Sequence, residues 1–144
     1  MIPELLDGAY LPPGGHDCTW EELVERFSMG GERQRLCREL RLLLERAKRC
    51  GFLRVAIGGS FPTSKPDPSD LDLLFLTPTG MSKASVSPEC AKLMNGTSSK
   101  LLYGHDLGYC EDEPETVQRL IHGYGFDWRT GKDRGMLILD LSCI

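Results

Sequence analysis

Two aspartates, Asp70 and Asp72, open the apolar run "DLDLLFL", ten residues after a glycine turn, "GGS", that ends an earlier apolar run. On an extended chain, side chains two apart point to the same face. Two like charges so placed repel each other unless something positive lies between them. Carboxylate oxygens in this arrangement suit Mg²⁺ or Mn²⁺, which take one or two carboxylates and leave positions for substrate phosphates. The turn supplies the other half. Gly58 and Gly59 let the backbone come close to a ligand, the N–H groups that follow can cradle a phosphate, and the Ser60 hydroxyl adds a donor. Lys65, in the connecting segment, offers a point charge to a phosphate oxygen. Each half alone is commonplace, because glycine pairs and exposed acids are frequent at strand ends. Together they predict a divalent metal and a nucleotide phosphate.

The elements that must hold these groups follow from periodicity. "FLRVAI" (52–57) and "DLDLLFL" (70–76) read as strands, "KLLYGHDLGYC" (100–110) as a further strand interrupted by glycines, and "MLILDL" (136–141) as a last one. Thr19 followed by Glu22 is a capping-box signature, opening a helix whose Trp20, Leu23, Val24 and Phe27 share one face. A longer helix is predicted from about Glu32 to Cys50, with Leu36, Leu40, Leu43 and Ala47 as its apolar stripe and Gly51 as its stop. A short helix is expected near Pro88–Met94 and another from Pro114, a residue that suits a first helical turn. "WRTGKDRG" reads as a hairpin turn, and residues 1–18, rich in Pro and Gly, as an extended arm. The expectation is one domain over residues 1–144 of α/β (α+β) class, with about four strands and helices packed against them.

Composition narrows the function classes. A chain of 144 residues with 40 % apolar and 26 % charged residues can bury a real core. Its net charge of −4 gives no bulk attraction for nucleic acid or an anionic membrane. No apolar run reaches the length of a membrane span, and the opening "MIPELLDGAYLPPGG" lacks the basic and apolar regions of a secretory signal, so a soluble cytoplasmic protein is expected. The six cysteines show no CxxC spacing and read as reduced, buried thiols. The helix over 32–50 carries seven Lys/Arg against three Glu. Arg33, Arg35, Arg38 and Arg41 would be its nucleic-acid surface, but a solvated face with pairs such as Arg35–Glu39 is the better reading.

Gly59-Ser60, nine intervening residues and Asp70-Leu-Asp72 at the head of an apolar strand resemble the signature of the polymerase-β-type nucleotidyltransferase superfamily. The likeness is greatest to the minimal nucleotidyltransferases of bacteria and their viruses. "LPPGGHDCTWEELVERF", "GGSFPTSKPDPSDLD", "KLLYG" and "WRTGKDRGMLILDL" extend it over most of the chain, towards a small bacterial family assigned to that superfamily. The resemblance implies a mixed sheet with helices packed on it and two metal ions on three carboxylates, which bind the triphosphate of a nucleotide. Asp70 and Asp72 match the motif's two acids, and Gly59 and Ser60 its phosphate-binding turn. It further implies a Mg²⁺- or Mn²⁺-dependent transfer of a nucleoside monophosphate from a nucleoside triphosphate to a hydroxyl of a protein or an RNA. The partner could be a toxin or antitoxin, within a toxin–antitoxin or phage-defence system.

For the third acid, which could also act as general base, Asp106 is preferred because it follows Asp72 by 34 residues; Asp140, 68 residues on, has the better strand context. Tyr103, Tyr109, Trp128, Arg129, Lys132 and Arg134 could line an acceptor or base pocket, although each reads better as core, turn or surface. His16, His105 and His122 have no metal-like spacing and are expected to be structural or surface groups. A competing reading keeps the fold but not the catalysis, leaving a nucleotide- or partner-binding scaffold.

Overall fold

The computed structural model describes residues 1–127 and 130–144. Two elements open the fold, the short strand β1 (Gly15–Cys18) and the helix α1 (Trp20–Phe27). The capping box expected for α1 is present, with the Glu22 N–H donating to Thr19 Oγ1 and the Thr19 N–H to Glu22 Oε1, both at 3.1 Å. The long helix α2 spans Gly31–Arg49. It ends at Gly51 in a Schellman arrangement, with the Phe52 N–H bonded to the Ala47 carbonyl and the Gly51 N–H to that of Lys48. The strands β2 (Arg54–Gly58) and β3 (Asp72–Thr77) follow, then helices α3 (Pro88–Met94) and α4 (Gly96–Tyr103), strand β4 (Asp106–Glu111) and helix α5 (Pro114–Gly125). The chain closes with a two-residue ribbon, β5 (Phe126–Asp127) against β6 (Lys132–Asp133), then strand β7 (Met136–Asp140) and a short 3₁₀ turn.

The class is α+β, with a mixed five-stranded sheet in the order β1-β7-β2-β3-β4. β2 runs antiparallel to both neighbours, whereas β1 with β7 and β3 with β4 are parallel. The parallel β3–β4 pair needs a crossover, and α3 and α4 provide it.

Three expectations are corrected. The main sheet has five strands rather than four, because the last residues of the expected arm form β1. That stretch carries no apolar pattern and becomes a strand only by pairing with β7. The stretch 100–110 is not one strand. Residues 100–103 end α4, and Gly104, at φ +76°, turns the chain into β4. The cysteines are not all reduced, since Cys50 at the end of α2 and Cys90 in the first turn of α3 form a disulfide with their Cα atoms 5.7 Å apart. Cys18, Cys37, Cys110 and Cys143 are free. Forty residues of sequence separate the bonded pair, so only the tertiary fold brings them together.

Burial follows a period of two along the strands. Val55, Ile57, Leu73, Phe75, Leu107, Leu137 and Leu139 pack beneath Leu36, Leu40, Leu44 and Ala47 of α2 and Leu23 and Phe27 of α1. Ala56, Leu74, Leu76, Cys110, Met136 and Ile138 face the other way, against Val117 and Ile121 of α5. The sheet is therefore covered on both sides. Among the described residues, no helix is long and apolar enough to cross a membrane.

The basic helix resolves into separate jobs. Arg35 pairs with Glu32 and Glu39, and Arg41 pairs with Glu45 while lying 5.3 Å over the Trp20 ring. Arg33 is different, being buried with only 6 % exposure. Its two terminal nitrogens donate to the carbonyls of Phe27, Phe61, Thr63 and Lys65, at 3.2, 2.7, 2.7 and 2.6 Å. Its guanidinium lies beside the contacting rings of Phe27 and Phe61, 5.9 and 5.5 Å from their centroids. It thereby pins the loop that joins β2 to β3. Replacing Arg33 by Met strands those buried carbonyls, and should lower the unfolding free energy measured in urea by about 3 kcal/mol. Arg33→Lys should recover less than half of the loss, because an ammonium cannot span the four acceptors.

Candidate active site

The glycine turn and the acids meet at one end of the sheet, as strand register requires. Gly58 is opposite Asp72 across the antiparallel β2–β3 pair, and Asp72 is opposite Asp106 across the parallel β3–β4 pair. Gly59 takes φ +71°, and a Cβ placed on it would lie 2.7 Å from Asp72 Oδ2. Only a glycine lets the turn close over this carboxylate. Ser60 continues the turn, with its carbonyl accepting the Thr63 hydroxyl at 2.6 Å.

His105 joins the two acid-bearing segments. Its Nδ1 accepts the Leu71 N–H at 3.0 Å, and the Asp106 N–H donates to the Leu71 carbonyl at 3.0 Å. The side chain is thus a rung that continues the β3–β4 pairing past the last ladder bond and holds Asp70, Asp72 and Asp106 at one edge. With Nδ1 accepting, Nε2 carries the proton, and it points towards Glu39 Oε1 at 3.6 Å. His105 is buried, in keeping with the structural role expected for it.

The electrostatics are strained. Burial first, then the charges of Asp106 and Asp70, push the Asp72 carboxyl from its ordinary 3.8 up to about 6, with Lys100 pulling the other way. Lys100 supplies a counter-charge. Its Nζ donates to Asp70 Oδ2 at 2.6 Å and lies 3.5 Å from Asp106 Oδ2. The hydrogen bond to Asp70 holds the Lys100 ammonium above its ordinary pKa. Among the described residues, no three His, Cys, Asp or Glu side chains converge as metal ligands. Lys100 bridges two of the acids, Asp70 and Asp106, and carboxylate oxygens are the donor type that a hard divalent ion takes.

Beside Asp72 and Asp106 lies a cleft of about 150 Å³, whose walls include Gly96, Gly108 and Tyr124. Tyr124 reaches over the strand because Gly108 has no side chain, and a Cβ there would sit 3.1 Å from Tyr124 Oη. Other expected residues lie elsewhere. Lys65 is exposed and lines a separate cleft with Arg26, Gly30 and Asp67. Asp140 is at the opposite end of the sheet, paired in register with Arg54, where it accepts from the Ser142 N–H and hydroxyl. Of the suggested pocket residues, Tyr103 lies under Arg46, Tyr109 near Lys83, Lys132 near Asp7, and Arg134 over Tyr10. Trp128 and Arg129 lie outside the described residues. Sequence reasoning missed Lys100 and Tyr124. For Lys100 the available signal was the helical reading of 96–103, masked by "GTSS" at its start.

Over residues 3–140 the chain matches a family of unknown function, DUF6932, and it belongs to that family. No curated protein and no solved structure matches it.

The raised Asp72 carboxyl has a measurable consequence. The folded state holds this proton more tightly than the unfolded chain, so its contribution favours folding most at low pH and is lost as pH rises from about 4 to about 6. In urea titrations with chelator present, Asp72→Asn should gain stability over wild type across that window. The gain should level off above it at on the order of 1 kcal/mol, after discounting for partial exposure. A difference that stays flat with pH would show that the carboxyl is unperturbed.

Proposed function

We propose that this member of the DUF6932 family is a metal-dependent nucleotidyltransferase that moves a nucleoside monophosphate from a nucleoside triphosphate to a hydroxyl of a protein or an RNA. The observation that carries the reading is the closure of the Gly59 turn on Asp72, with Asp106 in register beside it. A phosphate-cradling turn and three acids thereby share one edge of the sheet, the pattern that the sequence resemblance implies.

Asp70, Asp72 and Asp106 would hold Mg²⁺ or Mn²⁺, which would neutralise the triphosphate and activate the acceptor oxygen. The N–H groups after Gly59 and the Ser60 hydroxyl would orient the phosphates. Asp106, exposed at the start of β4, would take the acceptor's proton. The cleft beside Tyr124 has room for a hydroxyl and a few waters, so the nucleoside would extend over open surface. Most of the rate gain would come from positioning and charge neutralisation.

Lys100 favours a second reading. An ammonium already bonded to Asp70 and close to Asp106 is also what a catalytically silent, partner-binding scaffold would keep to neutralise inherited acids.

The test uses each α-labelled nucleoside triphosphate with Mg²⁺ or Mn²⁺ and a bacterial lysate, comparing wild type with the folded Asp70→Asn/Asp72→Asn variant. Label on protein or RNA, reduced roughly a hundredfold or more in the variant, is the expected result. No transfer with any nucleotide would sink the enzyme reading in favour of the scaffold.

A further inference from the structure

We propose that the Cys50–Cys90 bridge is a thiol-sensitive latch, which a dithiol reductant opens on the folded protein to loosen the α3–α4 crossover and the Lys100 it carries.

Position distinguishes this bridge from a structural staple. Both cysteines are half-buried and line an open cleft of about 420 Å³, so a small thiol has a path to the sulfurs. Arg46 and Arg49 line the same cleft, Arg46 one helical turn before Cys50. Among the described residues neither arginine is in an ion pair, and Arg46 lies over the Tyr103 ring at 5.6 Å. The cleft's carboxylate, Glu89, is paired with Lys92 at 3.1 Å. Cations beside a disulfide draw in an attacking thiolate and stabilise the one that leaves.

A thiolate of the dithiol attacks Cys90 Sγ and forms a mixed disulfide there, while Cys50 leaves as a thiolate in the arginine-lined cleft. The second thiol of the reductant gives its proton to water, attacks its partner's sulfur and releases Cys90. The reductant ends as a disulfide, and its two electrons and two protons end on the two cysteine thiols.

Little else holds the crossover. Among the described residues, Leu93 and Met94 are its buried apolar side chains, while Leu101 and Leu102 of α4 are exposed. Segments with few buried apolar contacts open at low free energy. The same helix α4 places Lys100 Nζ 2.6 Å from Asp70 Oδ2, and Gly96 at its start lines the cleft beside Asp72. With Cys90 released, opening of the crossover carries the ammonium away from the acid edge.

The test uses the intact chain in a Cys143→Ser background, which removes the exposed free thiol. Dithiothreitol is added to the native protein, and alkylation with mass spectrometry reads the two new thiols. The rate should lie within about a hundredfold of that for the urea-unfolded chain. Slower reduction would mean that the bridge opens only on unfolding, and would overturn the proposal. The reduced protein should keep its far-ultraviolet circular dichroism. Its amide exchange over residues 88–103 should quicken about tenfold or more, while that of β2 and β3 stays as it was. Oxidised glutathione should reverse the change. Cys90→Ser should show the fast exchange without reductant and no response to it. Loss of the whole fold on reduction would mark a structural staple, and unchanged exchange over 88–103 would leave nothing for the bridge to latch; either result sinks the idea. No readout requires nucleotide or metal, so the outcome is independent of the nucleotidyltransferase reading.

Discussion

A buried guanidinium whose hydrogen bonds, among the described residues, go to main-chain carbonyls organises this molecule. Arg33 satisfies itself on four main-chain carbonyls, one at the end of α1 and three in the segment that follows the glycine turn. A desolvated cation is tolerable only when its donors are used, so the carbonyls must stay where they are. This turns a long connection between two strands into a fixed one. The path of residues 61–65 then determines how the chain leaves Ser60 and how it returns at Asp70. Arg33 touches neither the turn nor the acids, yet both depend on the loop it holds.

The candidate site is a place where the fold works against itself. Along β3 the even-numbered side chains Leu74 and Leu76 are buried against α5, and the same parity delivers Asp72 at the strand's first position. Parallel pairing then sets Asp106 beside it, and His105 extends the pairing by one side-chain bond. Each step is ordinary sheet chemistry, but together they gather three acids at one edge with a single ammonium near them. The other end of the sheet shows what a purely structural solution looks like. There Arg54 makes a two-pronged bond to Asp112 at 2.8 and 2.6 Å, tying β2 to the end of β4. That pair balances its charges, whereas the acid edge sets three carboxylates against the Lys100 ammonium.

What the sequence revealed and what it hid divide along range. The capping box at Thr19, the stripe of α2, the proline-started helices at Pro88 and Pro114 and the apolar strands β2, β3 and β7 are written in neighbouring residues, and all were legible. The acids and the glycine turn were also visible as a pattern, although their meeting at one edge depends on register. β1 was hidden because its four residues acquire strand geometry only from β7. The end of α4 was mistaken for strand because "KLLY" is as apolar as a buried strand and the glycine after it reads equally as an interruption or a stop. Arg33 looked like one more surface charge on a basic helix, since the carbonyls that capture it lie about thirty residues away. Asp140 had the strand context of a third acid, but the antiparallel β2–β7 pairing carries it to the far end of the sheet.

The disulfide gives the region a covalent topology that secondary structure does not reveal. Cys50 and Cys90 bracket β2, the glycine turn, the loop held by Arg33 and β3, so all of these lie within one closed ring of the chain. The stretch from Ser64 to Asp67 lies exposed within that ring. A single cut there opens the circle without releasing a fragment, because the bridge still joins the two ends. Under oxidising conditions, then, the nicked protein keeps its turn and its acids in one covalent piece. Reduction separates them into two chains, with Gly59 and Ser60 on one and Asp70, Asp72 and Asp106 on the other.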